Sequence, residues 1–222
     1  EITFRFLKAR KKDGFLNVIS IFSFIGISLG VAVLIIVMSV MNGFRTELIN
    51  KIIGFNAHIT VQPYENKILT EKLDKTNLGA ISKNLFLSNS GEAIIIQSDT
   101  SKGIILRGYS NDDFKELDII NNKKFVGNKN NLTKNYISIG RELGFTLDLQ
   151  IGDNISIMSS SGIETIIGNI PKQKTFTVLS FFESGLADFD NNVAFINLMT
   201  LEEFFNFKPG ERNLEIYLKN PK

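Results

Sequence analysis

The chain has 222 residues, a formal net charge of +2, a single histidine and no cysteine. Absence of cysteine excludes a disulfide framework and a thiolate metal site. The first thirteen residues hold five positive and two negative side chains, so the remainder carries −1; no Lys/Arg cluster of the kind that binds nucleic acid lies in that remainder.

From Phe15 to Met41 there is no Asp, Glu, Lys or Arg. A helix of this length spans roughly 40 Å, more than the bilayer core of about 30 Å. The polar residues inside it, Asn17, Ser20, Ser23, Ser28 and Ser39, are small and uncharged. Gly26 and Gly30 are tolerated because lipid offers the backbone no alternative hydrogen-bond partner. A signal peptide is the rival reading, but its apolar region is shorter, about 7 to 15 residues. Arg5, Lys8, Arg10, Lys11 and Lys12 precede the span, whereas Arg45 and Glu47 balance each other after it. The positive flank places residues 1–14 in the cytoplasm and the following domain across the membrane. Gly26, Gly30 and Ala32, with Ser28, make a small-residue face on which another helix can pack closely.

Phe44, Leu48 and Ile52 recur at fourfold spacing, so the helix is expected to continue as a stalk ending at Gly54. Residues 57–222 read as one mixed domain. Strands are expected at Ala57–Val61, Ile81–Leu87, Ala93–Gln97, Gly103–Gly108, Tyr136–Ile139, Asn154–Met158, Thr175–Phe182, Asn192–Asn197 and Asn213–Leu218. Helices are expected at Thr70–Asn77, Arg141–Leu147 and Leu198–Phe205, with a short segment capped by Asn111-Asp112-Asp113. Turns are placed at Asn89-Ser90-Gly91 and Thr100-Ser101-Lys102, and a long loop from Ser159 to Lys174. Intermingled strands and short helices define an α+β domain.

Chemical motifs are sparse. No Gly-x-x-x-x-Gly-Lys-Ser/Thr loop or Gly-x-Ser-x-Gly elbow occurs. His58 opens a strand with no second metal-type ligand nearby in sequence, which favours a structural role. Asp112-Asp113 and Asp188-Phe189-Asp190 sit in turn-like segments suited to capping. The sequence predicts no catalytic residues, no metal site and no cofactor of its own.

The run Ile25-Gly26-Ile27-Ser28-Leu29-Gly30-Val31-Ala32, followed by Met38-Ser39-Val40-Met41-Asn42-Gly43-Phe44, resembles the first span of the LolC/LolE family. These are membrane subunits of the lipoprotein-releasing ABC transporter of Gram-negative bacteria. Leu48 to Gly54, Ile139-Gly140-Arg141-Glu142-Leu143 and Gly152-Asp153 resemble it too, and related efflux permeases share the latter pattern. The resemblance implies a periplasmic domain of the MacB-like core type, with porter-like and inserted sabre-like lobes. It also implies three further spans, so the chain is expected to be the N-terminal part of a longer permease in the inner membrane. The expected partners are a separate ATPase subunit that binds ATP, a second permease subunit (identical or homologous), a periplasmic lipoprotein carrier, the lipoprotein substrate and membrane lipid.

Two sites follow from the resemblance. Val37, Met41 and Phe44, at intervals of four and three, would line a cavity for the lipoprotein's acyl chains; ordinary helix packing is the alternative. Ile167, Gly168, Ile170, Pro171 and Lys172 would form a hook that captures the carrier; a plain hairpin packing Ile166, Ile167 and Ile170 locally is the alternative. Outside the lipoprotein reading stand an efflux or mechanotransmission permease and a single-span sensor or adhesin.

Overall fold

The computed structural model describes residues 14–63, 75–97, 100–165 and 168–221. The basic segment before Gly14 and the hook residue Ile167, with its neighbour Ile166, lie outside the described residues. The chain divides between Asn50 and Lys51 into two compact units.

The first unit is carried by α1, Gly14–Phe55, one unbroken helix of 42 residues. It is long and apolar enough to cross a membrane. From Phe15 to Phe44 its described large apolar side chains, Phe22, Phe24, Ile27, Leu34 and Val40 among them, are exposed. A helix that is apolar on every side suits lipid or a helix bundle rather than water. Gly54 does not terminate it as expected. Helical geometry runs one residue further because Phe55 is drawn into the core of the second unit, where its ring lies 4.3 Å from that of Phe189.

Among the described residues the second unit has nine strands. They are β1 (Ile59–Val61), β2 (Ser82–Gln97), β3 (Thr100–Tyr109), β4 (Val126–Gly127) and β5 (Tyr136–Gly140), then β6 (Asn154–Thr165), β7 (Gly168–Phe182), β8 (Val193–Asn197) and β9 (Asn213–Leu218). The helices are α2 (Lys75–Ile81), α3 (Asn111–Glu116), α4 (Arg141–Thr146), α5 (Ala187–Asn192) and α6 (Leu198–Phe205). Strands β2, β3, β8, β5, β7 and β6 pair in that order, and β6 returns to β2, so six strands close a ring. The first half of β2 leaves the ring and pairs with β9, which in turn pairs with β1.

Alternation along the strands decides which residues are enclosed. Ala194 and Ile196 of β8 join Ile95, Leu106, Ile137, Ile139, Ile155, Ile157, Phe176 and Val178 in one core. Leu201, Phe204 and Phe205 of α6 belong to the same core. Val193 and Phe195, one residue out of phase, join Phe86, Tyr109, Phe114, Phe182 and Tyr217 in a second. Each side chain of this size that is fully buried stabilises the fold by about 1.5–3 kcal/mol. At the mouth of α4 the backbone is so tight that a Cβ on Gly140 would lie 1.9 Å from the Asp190 carbonyl oxygen.

Several sequence expectations need correction. Asn89-Ser90-Gly91 is not a turn: β2 runs through it for 16 residues, paired to β3 on one side. Gly91 is there because its face meets the Phe205 ring, which a Cβ would approach to 2.6 Å. Thr100-Ser101-Lys102 is strand, paired with Gln97, Ile96 and Ile95 of β2. The helix expected at Thr70–Asn77 is described only from Lys75, and it extends to Ile81. Ser110, rather than Asn111, caps α3, its hydroxyl accepting from the Asp113 N–H at 3.0 Å. Most consequential, the expected loop from Ser159 to Lys174 is the distal half of the β6–β7 hairpin.

Candidate functional site

Three places concentrate the side chains relevant to function. The first is the outer face of α1. Val37, Met41 and Phe44 are 57%, 60% and 60% exposed. Their spacing sets them along one stripe of the helix. Gly26, Gly30 and Ala32 are exposed as well, and a Cβ on either glycine would meet nothing within 4 Å. The stripe is a continuous apolar surface, on which each CH₂ buried would contribute about 0.8 kcal/mol.

The second is the hairpin arm of β6 and β7. Its base is woven into the ring, because β6 pairs with β2 from Ser156 to Ser159. Beyond Ser159, among the described residues, β6 pairs with β7 alone, through Gly162↔Pro171, Ile163↔Ile170, Glu164↔Asn169 and Thr165↔Gly168. Gly168 takes φ +124°, a backbone conformation that favours glycine, at the end of the arm. Ile170 is 56% exposed and Pro171 is exposed beside it. A proline on an arm edge withholds a donor and discourages unwanted strand addition. The polar residues next in line are used internally. The Lys172 Nζ donates to the Glu203 carbonyl at 2.8 Å and to Asn206 Oδ1 at 2.5 Å. The Gln173 Nε2 donates to Ser156 Oγ at 2.7 Å. The Lys174 ammonium sits 5.5 Å from the Phe176 ring centroid, a cation–π contact.

The third place was not anticipated from sequence. Glu215, buried on β9, accepts from Arg107 Nη2 at 2.9 Å, Ser88 Oγ at 2.6 Å, and the hydroxyls of Tyr109 at 2.7 Å and Tyr217 at 3.3 Å. Arg107 Nη1 also donates to Asn56 Oδ1 at 3.2 Å, just past the end of α1. Burial alone would depress the Arg107 guanidinium, but the Tyr109 phenol, the Glu215 carboxylate and the Tyr217 phenol hold its pKa above its ordinary value. Burial pushes both the Tyr109 and the Tyr217 hydroxyl well up. The group borders a cavity of about 480 Å³ where Asn56, Ser88, Arg107 and Glu215 meet the apolar Ile105, Phe189 and Val193. Each charge in it is already partnered, so it supplies structural order rather than a free acid or base. Glu215 is the single charge of β9, whereas Arg107 shares β3 with Lys102, so the pair gave little signal in sequence.

His58 is structural, as expected. Its Nδ1 accepts from the Leu218 N–H at 2.8 Å and its Nε2 faces the Ile53 carbonyl at 3.2 Å, which fixes the Nε2–H tautomer. Asp190 is buried and accepts from the Ser184 N–H at 2.8 Å. Among the described residues no group of three or more His, Asp or Glu is placed to hold a metal ion.

An apolar helix joined to a closed mixed sheet is the build of a membrane-tethered domain. The sequence matches the MacB-like periplasmic core domain over residues 20–222, and the chain belongs to that family. It is 27% identical over 211 residues to the lipoprotein-releasing system transmembrane protein LolC of Xylella fastidiosa, covering 91% of this chain and 50% of that protein. It is 25% identical over 226 residues to LolC of Neisseria meningitidis, covering 99% and 54%. The chain thus spans about half the length of the curated relatives it matches. These relatives bear out the resemblance to the LolC/LolE family. The periplasmic region of MacB from Actinobacillus actinomycetemcomitans aligns with a TM-score of 0.43 at 12% identity, over 75% of this chain and 73% of that one.

Proposed function

We propose that this chain is the N-terminal part of an ABC transporter permease subunit that extracts lipoproteins from the inner membrane and hands them to a periplasmic carrier. In this reading residues 1–14 are cytoplasmic, α1 is one wall of a helix bundle, and the sheet domain is periplasmic. Gly26, Gly30 and Ala32 admit a neighbouring span. Val37, Met41 and Phe44 face the acyl chains. ATP is bound by a partner subunit, and a second permease subunit completes the bundle.

The observation that carries the reading is the β6–β7 arm. It leaves the sheet at Ser159 and presents Ile170 and Pro171 to solvent. Exposed apolar residues on a projecting element favour a partner surface over a purely local packing role. That the curated relatives are named for a lipoprotein-releasing system supports a lipoprotein-handling role for this surface.

The test is photocrosslinking in membranes, using a permease that carries this chain together with its ATPase. A crosslinker at Ile170 should capture the purified lipoprotein carrier, and one at Val126, on the exposed strand β4, should not. If Ile170 gives no adduct while the domain is folded, the capture role fails. An efflux permease of the same superfamily would give that negative result.

A further inference from the structure

We infer that Lys172 is the hinge pin of the β6–β7 arm, a positioning residue that sets the direction in which the tip leaves the sheet. The inference rests on the reading of the arm as a capture device. It reassigns Lys172 from carrier contact to internal strut.

Register places the hinge. Between the pairs Met158↔Gln173 and Gly162↔Pro171, β6 has three residues, Ser159, Ser160 and Ser161, where β7 has Lys172 alone. An excess of residues on one strand bends it and increases its twist. The last β2–β6 pair is Ala93↔Ser159, so support from the ring ends at the same point. Past it β6 pairs with β7 alone among the described residues, and a two-stranded hairpin is only marginally stable by itself in water. The single residue opposite the bulge reaches out of the hairpin to α6. Its ammonium bonds the Glu203 carbonyl and the Asn206 side chain. Asn206 is the left-handed cap of α6, with φ 60° and ψ 29°. The carbonyl end of a helix attracts a cation, so both partners suit an ammonium. Since α6 is held in the core by Leu201, Phe204 and Phe205, the pin ties the bend of the arm to a rigid element.

The chain has no native cysteine, so cysteine pairs can be labelled selectively. Spin labels at Ile170→Cys and Met199→Cys would report the distance from arm to α6; both positions are exposed. In the full-length chain, Lys172→Met should broaden that distance distribution and leave the urea midpoint of the domain unchanged. Lys172→Arg should restore a narrow distribution. Asn206→Gly, which keeps the left-handed cap and removes one acceptor, should broaden it to a lesser degree. In chains with Ile170 intact, Lys172→Met should weaken binding of the purified carrier about tenfold, and Lys172→Arg should recover it. A distribution as narrow in Lys172→Met and Asn206→Gly as in the parent overturns the inference. Broadening without any change in carrier affinity upholds the pin and overturns the capture reading instead.

Discussion

Two regions of this chain are rich in Ile, Val and Phe, and they dispose of them in opposite ways. Along α1 from Phe15 to Phe44 the described large apolar residues are exposed on every side. In the ring they alternate, so that Ile95, Ile137, Ile155 and Ile196 are almost wholly enclosed. Water drives the second arrangement through apolar burial, whereas the first is held by backbone bonds and waits for lipid or other helices. The sheet unit should therefore respond to core substitutions in the ordinary manner of a water-soluble domain. The helix should be indifferent to them.

The largest effect expected is from Gly140→Ala. Its Cβ would collide with the backbone oxygen of Asp190, an atom that no side-chain rotation can move. The sheet unit should lose more than about 4 kcal/mol, the range reserved for severe core damage. Urea titration in detergent, followed by near-ultraviolet dichroism, measures it. The far-ultraviolet signal of Gly14–Phe55 should persist, and its collapse alongside the sheet would break the comparison.

Next comes Arg107→Met. It strands the Glu215 carboxylate in the interior, which costs about 3–5 kcal/mol. The double substitution Arg107→Met with Glu215→Leu removes both charges and should be clearly more stable than the single one. If single and double variants are equally impaired, the pair is not the unit it is described to be.

The smallest effect is a pH slope. Burial pushes the Asp190 carboxyl above its ordinary value, partly offset by hydrogen bonds from Ser184 and Gly185. A group whose folded value is raised favours the fold fully below its unfolded value, and that contribution is lost as pH rises through the folded value. Asp190→Asn should remove this part of the acid-side slope in the urea midpoint. An unchanged slope would show that Asp190 is as well solvated in the fold as out of it.

Legibility differed along the same divide. The span could be read from composition alone, because a run without charge has only one environment that suits it. Strand positions were readable where apolar and polar residues alternate, as in β5, or where a short apolar run is bounded by polar residues, as in β8. Punctuation misled the reading where tertiary packing overrode local preference. Asn89-Ser90-Gly91 has the chemistry of a turn, yet Gly91 serves a close approach of Phe205 to a continuous strand. The serine-rich stretch of the arm looked like a loop because its pairing partner lies on the neighbouring strand, which no local pattern reports. The buried pair Arg107–Glu215 spans 108 positions of sequence. Each member alone reads as an ordinary strand charge, and only the fold joins them. In the segment Ile139-Gly140-Arg141-Glu142-Leu143, noted first as a resemblance, the structure supplies a steric reason for the glycine.

Strand β2 carries one more implication. Its sixteen residues belong to two sheets at once: Ser82 to Ser88 pair with β9, and Asn89 to Gln97 with β3. Side chains on a strand alternate between faces, so a slip of one residue would turn every buried group outward. The nearest acceptable slip is two residues, about 6.8 Å. Small displacements of the β1–β9 ribbon therefore cannot be absorbed by sliding. They must pass along β2 as rotation or bending, as through a rod clamped at both ends.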